Sequence, residues 1–133
     1  MKTLTEKIFE LSAPYANPYQ GEYSRVVFVC TAGLLRSATA ATIGAQMNLN
    51  CRACGTSKDA LIPLSLNLIA WADEIYFVNK ENYDQAMETF KDNEFAIDHL
   101  KWATVWSIPD VYPYMDPTLV QIVTELLDQD YNT

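Results

Sequence analysis

A cysteine and an arginine lie six positions apart in the segment VVFVCTAGLLRSATAA, which spans residues 26–41. If Cys30 ends a strand and Arg36 begins a helix, the backbone N–H groups between them can turn inward and form a cradle for an anion. The Arg36 guanidinium can close this cradle with two parallel hydrogen bonds to phosphate oxygens. Because the same positive field stabilises the Cys30 thiolate, the spacing predicts nucleophilic attack by sulfur on a bound phosphate.

The other residues of this anion loop (residues 30–36) have smaller predicted roles. Ser37 can donate a hydrogen bond to the thiolate. Gly33 is expected to take the left-handed backbone conformation where the loop turns. Only backbone N–H groups are expected from Thr31, Ala32, Leu34 and Leu35. A buried structural cysteine is the alternative interpretation, and the position between a predicted buried strand and an alanine-rich helix disfavours it.

The rest of the chain alternates strands and helices that would position this loop. Apolar, β-branched or aromatic runs predict strands at 25–29, 74–78 and 104–108, and CRACG at 51–55 is interpreted as a further strand. Helices are predicted at 36–47, 63–73, 79–92 and 116–129, with Pro63 and Pro117 in first turns and Asp116 as an N-cap. This order predicts a three-layer α/β fold whose middle layer is a parallel sheet of about four strands, with the phosphate-binding loop after the first strand.

The chain of 133 residues is long enough for one compact domain. Residues 25–133 are predicted to form it. Residues 1–24 are predicted to be an N-terminal extension, with a helix over 3–11 followed by a loop rich in proline and tyrosine.

Composition excludes several classes of function. A net charge of -8 disfavours nucleic-acid and anionic-membrane partners. Three cysteines exclude a fully paired disulfide framework, and a single histidine, His99, makes a Cys/His zinc site hard to assemble. No segment has the pattern of a signal peptide or a membrane span, so we expect a cytoplasmic protein with reduced thiols.

Three segments resemble the low-molecular-weight protein tyrosine phosphatases. VVFVCTAGLLRSATAA is similar to their N-terminal signature, in which a strand leads into C-x5-R-S and a helix. WSIPDVYPYMDPTLVQIV (106–123) resembles the acid loop of a short bacterial branch of the family. GTSKDALIPLSLNLIAWADEIYFV (55–78) resembles its middle segment, and the whole resemblance covers roughly residues 25–127.

The resemblance implies hydrolysis of phosphomonoesters, phosphotyrosine above all, through a cysteinyl-phosphate. Cys30 would be the nucleophile, Arg36 the phosphate clamp, and Asp110 the general acid and then the base. Tyr112 and Tyr114 would flank the substrate ring at the pocket mouth. The expected partner is a phosphotyrosine-containing protein or a small aryl phosphate. No metal or cofactor is required, and the sequence does not define an oligomeric state.

Two positions of the anion loop depart from the family pattern. Gly33 stands where the family usually has asparagine, whose side chain ties the loop together. Leu35 stands where the family often has a second cysteine, so a disulfide that protects the nucleophile is ruled out.

Two alternative functions stay open. The first is an interaction module that binds phosphotyrosine without turnover, which the presence of both Cys30 and Asp110 disfavours. The second is a thiol-dependent arsenate reductase, which needs two further cysteines downstream. Cys51 and Cys54 fall in a predicted strand where positions i and i+3 face opposite sides, which disfavours a redox pair.

Overall fold

A computed structural model describes residues 24–131 of the protein. The helix predicted over residues 3–11 and most of the loop after it lie outside the described residues. The division of the chain at residue 24 therefore stays a prediction.

Four parallel strands form the central sheet, in the order β2-β1-β3-β4. The strands are β1 (Arg25–Cys30), β2 (Asn50–Gly55), β3 (Glu74–Phe77) and β4 (Thr104–Val105). The middle strand β1 has an apolar run, Val26 to Val29, that is fully buried, as expected of a strand covered on both faces. Chain order reverses beside β1, which places a topological switch point at its carboxyl end.

Five helices cover the two faces of the sheet. They are α1 (Arg36–Gln46), α2 (Leu66–Trp71), α3 (Lys80–Thr89), α4 (Glu94–Leu100) and α5 (Pro117–Tyr131). One core cluster joins Phe28 of β1 to residues of α1 and α5, and the other joins Val27 and Val29 to residues of α2, α3 and α4. The predicted three-layer α/β architecture is confirmed. None of the helices within residues 24–131 is long and apolar enough to span a bilayer.

The predicted elements differ most from the structure in three places. The helix expected from Pro63 begins at Leu66, because Ser65 caps it by accepting a hydrogen bond from Leu68 N, while Pro63 forms a bridge with Gly55. Helix α4 was not expected from the sequence, and its N-cap is Asn93. Strand β4 is shorter than predicted. The chain beyond it still follows β3 through single hydrogen bonds, Trp106 N to Phe77 O and Ile108 N to Val78 O.

The start of α5 agrees with the sequence. Pro117 is the first helical residue. Asp116 Oδ2 accepts hydrogen bonds from Thr118 N at 3.0 Å and Leu119 N at 3.3 Å, which satisfies two of the free amides at the helix start. Asp116 is therefore a capping residue, as predicted.

Candidate active site

Cys30 lies at the carboxyl end of β1 and is 2% exposed. Its sulfur accepts a hydrogen bond from Gly33 N at 3.1 Å, and Ser37 Oγ lies 3.0 Å from it. The loop thus folds over the sulfur and brings a backbone N–H and a hydroxyl within hydrogen-bond distance of it.

Position 33 has a backbone conformation and a close neighbour that favour glycine. Gly33 has φ 77°, the left-handed conformation expected from the sequence. A Cβ atom at this position would lie 3.0 Å from the carbonyl carbon of Cys54. On the facing strand, a Cβ at Gly55 would overlap the carbonyl oxygen of Thr31. The anion loop therefore packs directly on the backbone at the end of β2.

Arg36 connects the anion loop to the late loop (residues 106–116). The side chain is 4% exposed, and Nη1 donates to Ile108 O at 2.9 Å. Nη2 lies 3.5 Å from Thr31 Oγ1. Nε lies 3.5 Å from Asp110 Oδ1 and has no hydrogen-bond partner within residues 24–131. The guanidinium thus lies between Thr31 of the anion loop and Asp110 of the late loop.

Asp110 is exposed at the mouth of the site, with 62% of its side chain accessible. The late loop that carries it is anchored at several points. Ile108 O accepts from Arg36 and, at 3.3 Å, from Asn79 Nδ2, and Met115 N donates to Thr39 Oγ1 at 2.9 Å. An exposed carboxyl on an anchored loop can exchange protons with both a leaving group and water.

Exposed and half-buried side chains of the anion loop and the late loop form the candidate rim of the site. Tyr112 is half-buried and packs against the core cluster of β1, while Tyr114 is 50% exposed and its hydroxyl lies 3.0 Å from Thr42 Oγ1. Leu34 is 49% exposed and Leu35 is 40% exposed. Ala32 is exposed as well. The exposed side chains of the anion loop itself are therefore apolar, whereas the Tyr114 hydroxyl is directed to α1.

Sequence reasoning missed the side-chain contacts of Thr31. Only its backbone was expected to contribute, yet Thr31 Oγ1 accepts a hydrogen bond from Asn82 Nδ2 at 3.1 Å. Asn82 belongs to α3, and it also approaches Thr56, the residue that follows β2. The sequence carried one signal for Asn82 and Thr56. Both residues follow closely after predicted buried strands, at the end of the sheet where Cys30 lies.

The other two cysteines are held apart. Cys51 packs with the α1 and α5 core and Cys54 with the opposite core, as the strand spacing predicted. Burial raises the pKa of the Cys51 thiol to about 12, against a smaller lowering by Arg52. Burial also raises the pKa of the Cys54 thiol, and nearby Cys30 raises it further. None of the three cysteines is in a disulfide.

A cavity of about 690 Å³ lies at the other edge of the sheet, where its lining includes Glu74 and Thr104 at the amino ends of β3 and β4. It is separate from the anion loop. Within residues 24–131 no group of three or more His, Cys, Asp or Glu side chains is arranged to hold a metal ion.

No protein-family model matches the sequence, and no curated protein matches it. Solved structures do. A protein tyrosine phosphatase matches with a TM-score of 0.60 at 17% identity, over 81% of this chain and 95% of its own. A low molecular weight protein tyrosine phosphatase from Bacillus subtilis matches at 0.58 and 16%, over 79% and 95%.

A YwlE arginine phosphatase, solved as a mutant with a phosphorylated active-site serine, matches with a TM-score of 0.56 at 15% identity, over 79% of this chain and 94% of its own. These matches span nearly the whole of each compared structure. The chain therefore has the fold of the low-molecular-weight protein tyrosine phosphatases.

Proposed function

We propose that the protein hydrolyses phosphomonoesters, phosphotyrosine above all, through a cysteinyl-phosphate intermediate. The observation that carries the proposal is the surroundings of Cys30 Sγ, which receives the Gly33 N–H at 3.1 Å and lies 3.0 Å from Ser37 Oγ. The buried Arg36 guanidinium contacts the same loop, with Nη2 3.5 Å from Thr31 Oγ1. A sulfur held this way at the start of a helix is suited to attack an anion that the same helix end attracts.

The first step transfers the phosphoryl group to sulfur. Backbone N–H groups of residues 31–36 and Arg36 hold the phosphate oxygens, while the Cys30 thiolate attacks phosphorus. A sulfur–phosphorus bond forms as the phosphorus–oxygen bond to the phenol breaks. Asp110, protonated at this stage, gives its proton to the departing oxygen, so that a neutral phenol leaves.

The second step regenerates the enzyme. Water attacks the phosphorus of the cysteinyl-phosphate, and the Asp110 carboxylate takes its proton. The sulfur–phosphorus bond breaks, inorganic phosphate leaves, and Cys30 returns to the thiolate, which Ser37 stabilises. Every group in this cycle belongs to the chain or to water.

The rim supports an aromatic substrate. Leu34 and Leu35 of the anion loop are half-exposed, and Tyr112 and Tyr114 follow Asp110 in the late loop. An apolar and aromatic rim suits a phenyl ring better than the polar guanidino group of a phosphorylated arginine. We therefore expect faster hydrolysis of aryl phosphate than of phosphoarginine. A phosphotyrosine-containing protein in the cytoplasm, where Cys30 stays reduced, is the proposed target.

Hydrolysis of an aryl phosphate across about pH 5 to 8 tests the proposal, since a thiolate and a carboxylic acid can coexist in that range. Wild type should turn over the substrate. Cys30→Ser should lose turnover and still bind vanadate, while Asp110→Asn should be slower by about 100-fold or more. Activity that survives in Cys30→Ser would overturn the covalent mechanism. Phosphotyrosine bound by wild type without turnover would instead indicate a non-catalytic binding module.

A further inference from the structure

A buried asparagine on α3 contacts the anion loop from outside it. Asn82 is 1% exposed. Its Nδ2 donates to Thr31 Oγ1 at 3.1 Å and to Thr56 Oγ1 at 3.4 Å, so both amide hydrogens are used. Its Oδ1 has no hydrogen-bond partner within the described part of the chain. A buried amide held by two threonines restricts the orientation of both hydroxyls.

The proton of the Thr56 hydroxyl has acceptors of its own. Thr56 Oγ1 donates to Gln85 Oε1 on the same helix as Asn82, and the carbonyl oxygen of Cys30 lies 3.4 Å away. Thr56 is therefore a hydrogen-bond acceptor toward Asn82. This requirement orients the NH2 group of Asn82, rather than its oxygen, toward the two threonines.

The hydroxyl of Thr31 is then left with one free donor. A hydroxyl oxygen accepts up to two hydrogen bonds and donates one. Thr31 Oγ1 receives Asn82 Nδ2, and Arg36 Nη2 approaches it at 3.5 Å. Both approaching groups carry only hydrogens, so neither can accept the Thr31 proton. The residue directly follows the nucleophile, at the edge of the cradle where an anion would bind.

We propose that the Thr31 hydroxyl donates a hydrogen bond to the bound phosphate, and that Asn82 is the positioning residue that orients it. The inference rests on the proposed function, because it assumes that the anion loop binds phosphate. Asn82 acts through Thr31 and does not itself touch the substrate.

Inorganic phosphate is the probe, and calorimetry measures its binding whether or not the protein turns over a substrate. Thr31→Val removes the hydroxyl and keeps nearly the same shape. It should weaken phosphate binding by about tenfold, since a hydrogen bond to a charged group is lost. Thr31→Ser should restore binding to within about twofold of wild type. Thr89→Val, an exposed threonine at the end of α3, serves as the matched control and should bind as wild type does.

A second substitution tests the role of Asn82. Asn82→Leu should weaken phosphate binding in the same direction as Thr31→Val. The double variant should bind no more weakly than Thr31→Val alone, because the effect of Asn82 passes through Thr31. Thermal unfolding of every variant separates lost binding from lost structure. Should Asn82→Leu fail to fold, the Val and Ser variants of Thr31 still decide the proposal.

Two results would overturn the inference: a folded Thr31→Val that binds phosphate as tightly as wild type, or fully additive losses in the double variant. Failure of the proposed function looks different. Wild type that binds phosphate and does not hydrolyse aryl phosphate counts against the enzyme activity alone, and the calorimetric comparison still decides the role of Thr31. Wild type that binds no phosphate overturns both.

Discussion

At the scale of single residues, the surroundings of the three thiols separate one reactive candidate from two inert ones. Cys30 Sγ faces a backbone N–H and a hydroxyl. Cys51 and Cys54 are packed in opposite cores, and burial raises the pKa of both thiols. Since the thiolate is the nucleophile in alkylation, the two structural cysteines should react slowly in the folded protein.

Selective alkylation checks this difference. We expect iodoacetate at about pH 7 to label Cys30 and to leave Cys51 and Cys54 unmodified, with inorganic phosphate slowing the reaction by occupying the cradle. Mass spectrometry of the digested protein locates the label. Cys30→Ser is the control and should stay unlabelled under native conditions. Rapid labelling of Cys54 in folded protein would contradict the assignment.

Gly33 is the residue whose backbone the loop depends on most. Gly33→Ala should cost about 1 to 3 kcal/mol of stability, because a non-glycine residue is strained at φ 77° and the new Cβ would press on the backbone of Cys54. Urea unfolding measures the cost. Ala32→Ser, a change at the exposed neighbouring position, is the control and should leave stability nearly unchanged. A Gly33→Ala variant as stable as wild type would contradict the packing described here.

At the scale of elements, neighbouring segments of the chain stabilise the anion loop. Gly33 has no side chain that could form hydrogen bonds within the loop. Thr56 N donates to Cys30 O and Ser57 N donates to Thr31 O, both at 2.9 Å. Asn82 adds a side-chain contact from α3. Hydrogen bonds from the segment after β2 and from the first half of α3 therefore fix the anion loop, as an asparagine side chain does in the family pattern.

The same contacts explain what the sequence could and could not predict. The strand, loop and helix around Cys30 are encoded within sixteen consecutive residues, as is the left-handed Gly33, so local pattern was sufficient. The role of Asn82 depends on α3 lying beside a loop 51 residues earlier, which no local pattern contains. Helix α4 was missed because it is short and buries only Ala96 and Leu100, too few positions for a helical period to emerge.

The two carboxylates of the late loop, Asp110 and Asp116, should have different roles: Asp116 stabilises helix α5, whereas Asp110 acts in turnover. Asp116→Ala should lower stability by about 1 kcal/mol through loss of the α5 cap and leave the pH profile of turnover unchanged. Asp116→Asn is the matched control, because asparagine caps a helix about as well as aspartate. Chemical unfolding and aryl phosphate hydrolysis measure the two effects. A changed pH profile in Asp116→Ala would make Asp116, rather than Asp110, the candidate acid.

At the scale of the whole molecule, a cluster of polar side chains around Tyr76 lies at the end of the sheet opposite Cys30. The Tyr76 hydroxyl of β3 lies 3.0 Å from both Glu74 Oε2 and Asp130 Oδ2 and 3.1 Å from the Tyr131 hydroxyl, and it can donate its one proton to one of them at a time. The ring of Tyr76 stacks on Phe28 in the core at a centroid distance of 5.4 Å. This group joins the start of β3 to the last turn of α5, so the stability of the core face that contains α1 and α5 depends on phenols that stay protonated.

Stability should therefore fall at alkaline pH. Burial is the main cause that raises the pKa of Cys51 from 9.0 to about 12, and that raises the pKa of Tyr76 and Tyr131 above their ordinary value of 10.0. A pKa raised by folding means that the folded state retains its proton while the unfolded chain loses it. The stabilising contribution is complete below about pH 9 and is lost as the pH rises through the pKa values of the folded state.

Unfolding by urea at several values between about pH 7 and 11 measures the decline. Tyr76→Phe keeps the ring and removes one titrating group, so its stability should decline less steeply than that of wild type, whereas Tyr83→Phe, on the opposite face, controls for the loss of a phenol. A free energy of unfolding that stays level to pH 11 would contradict the buried, protonated state of these groups.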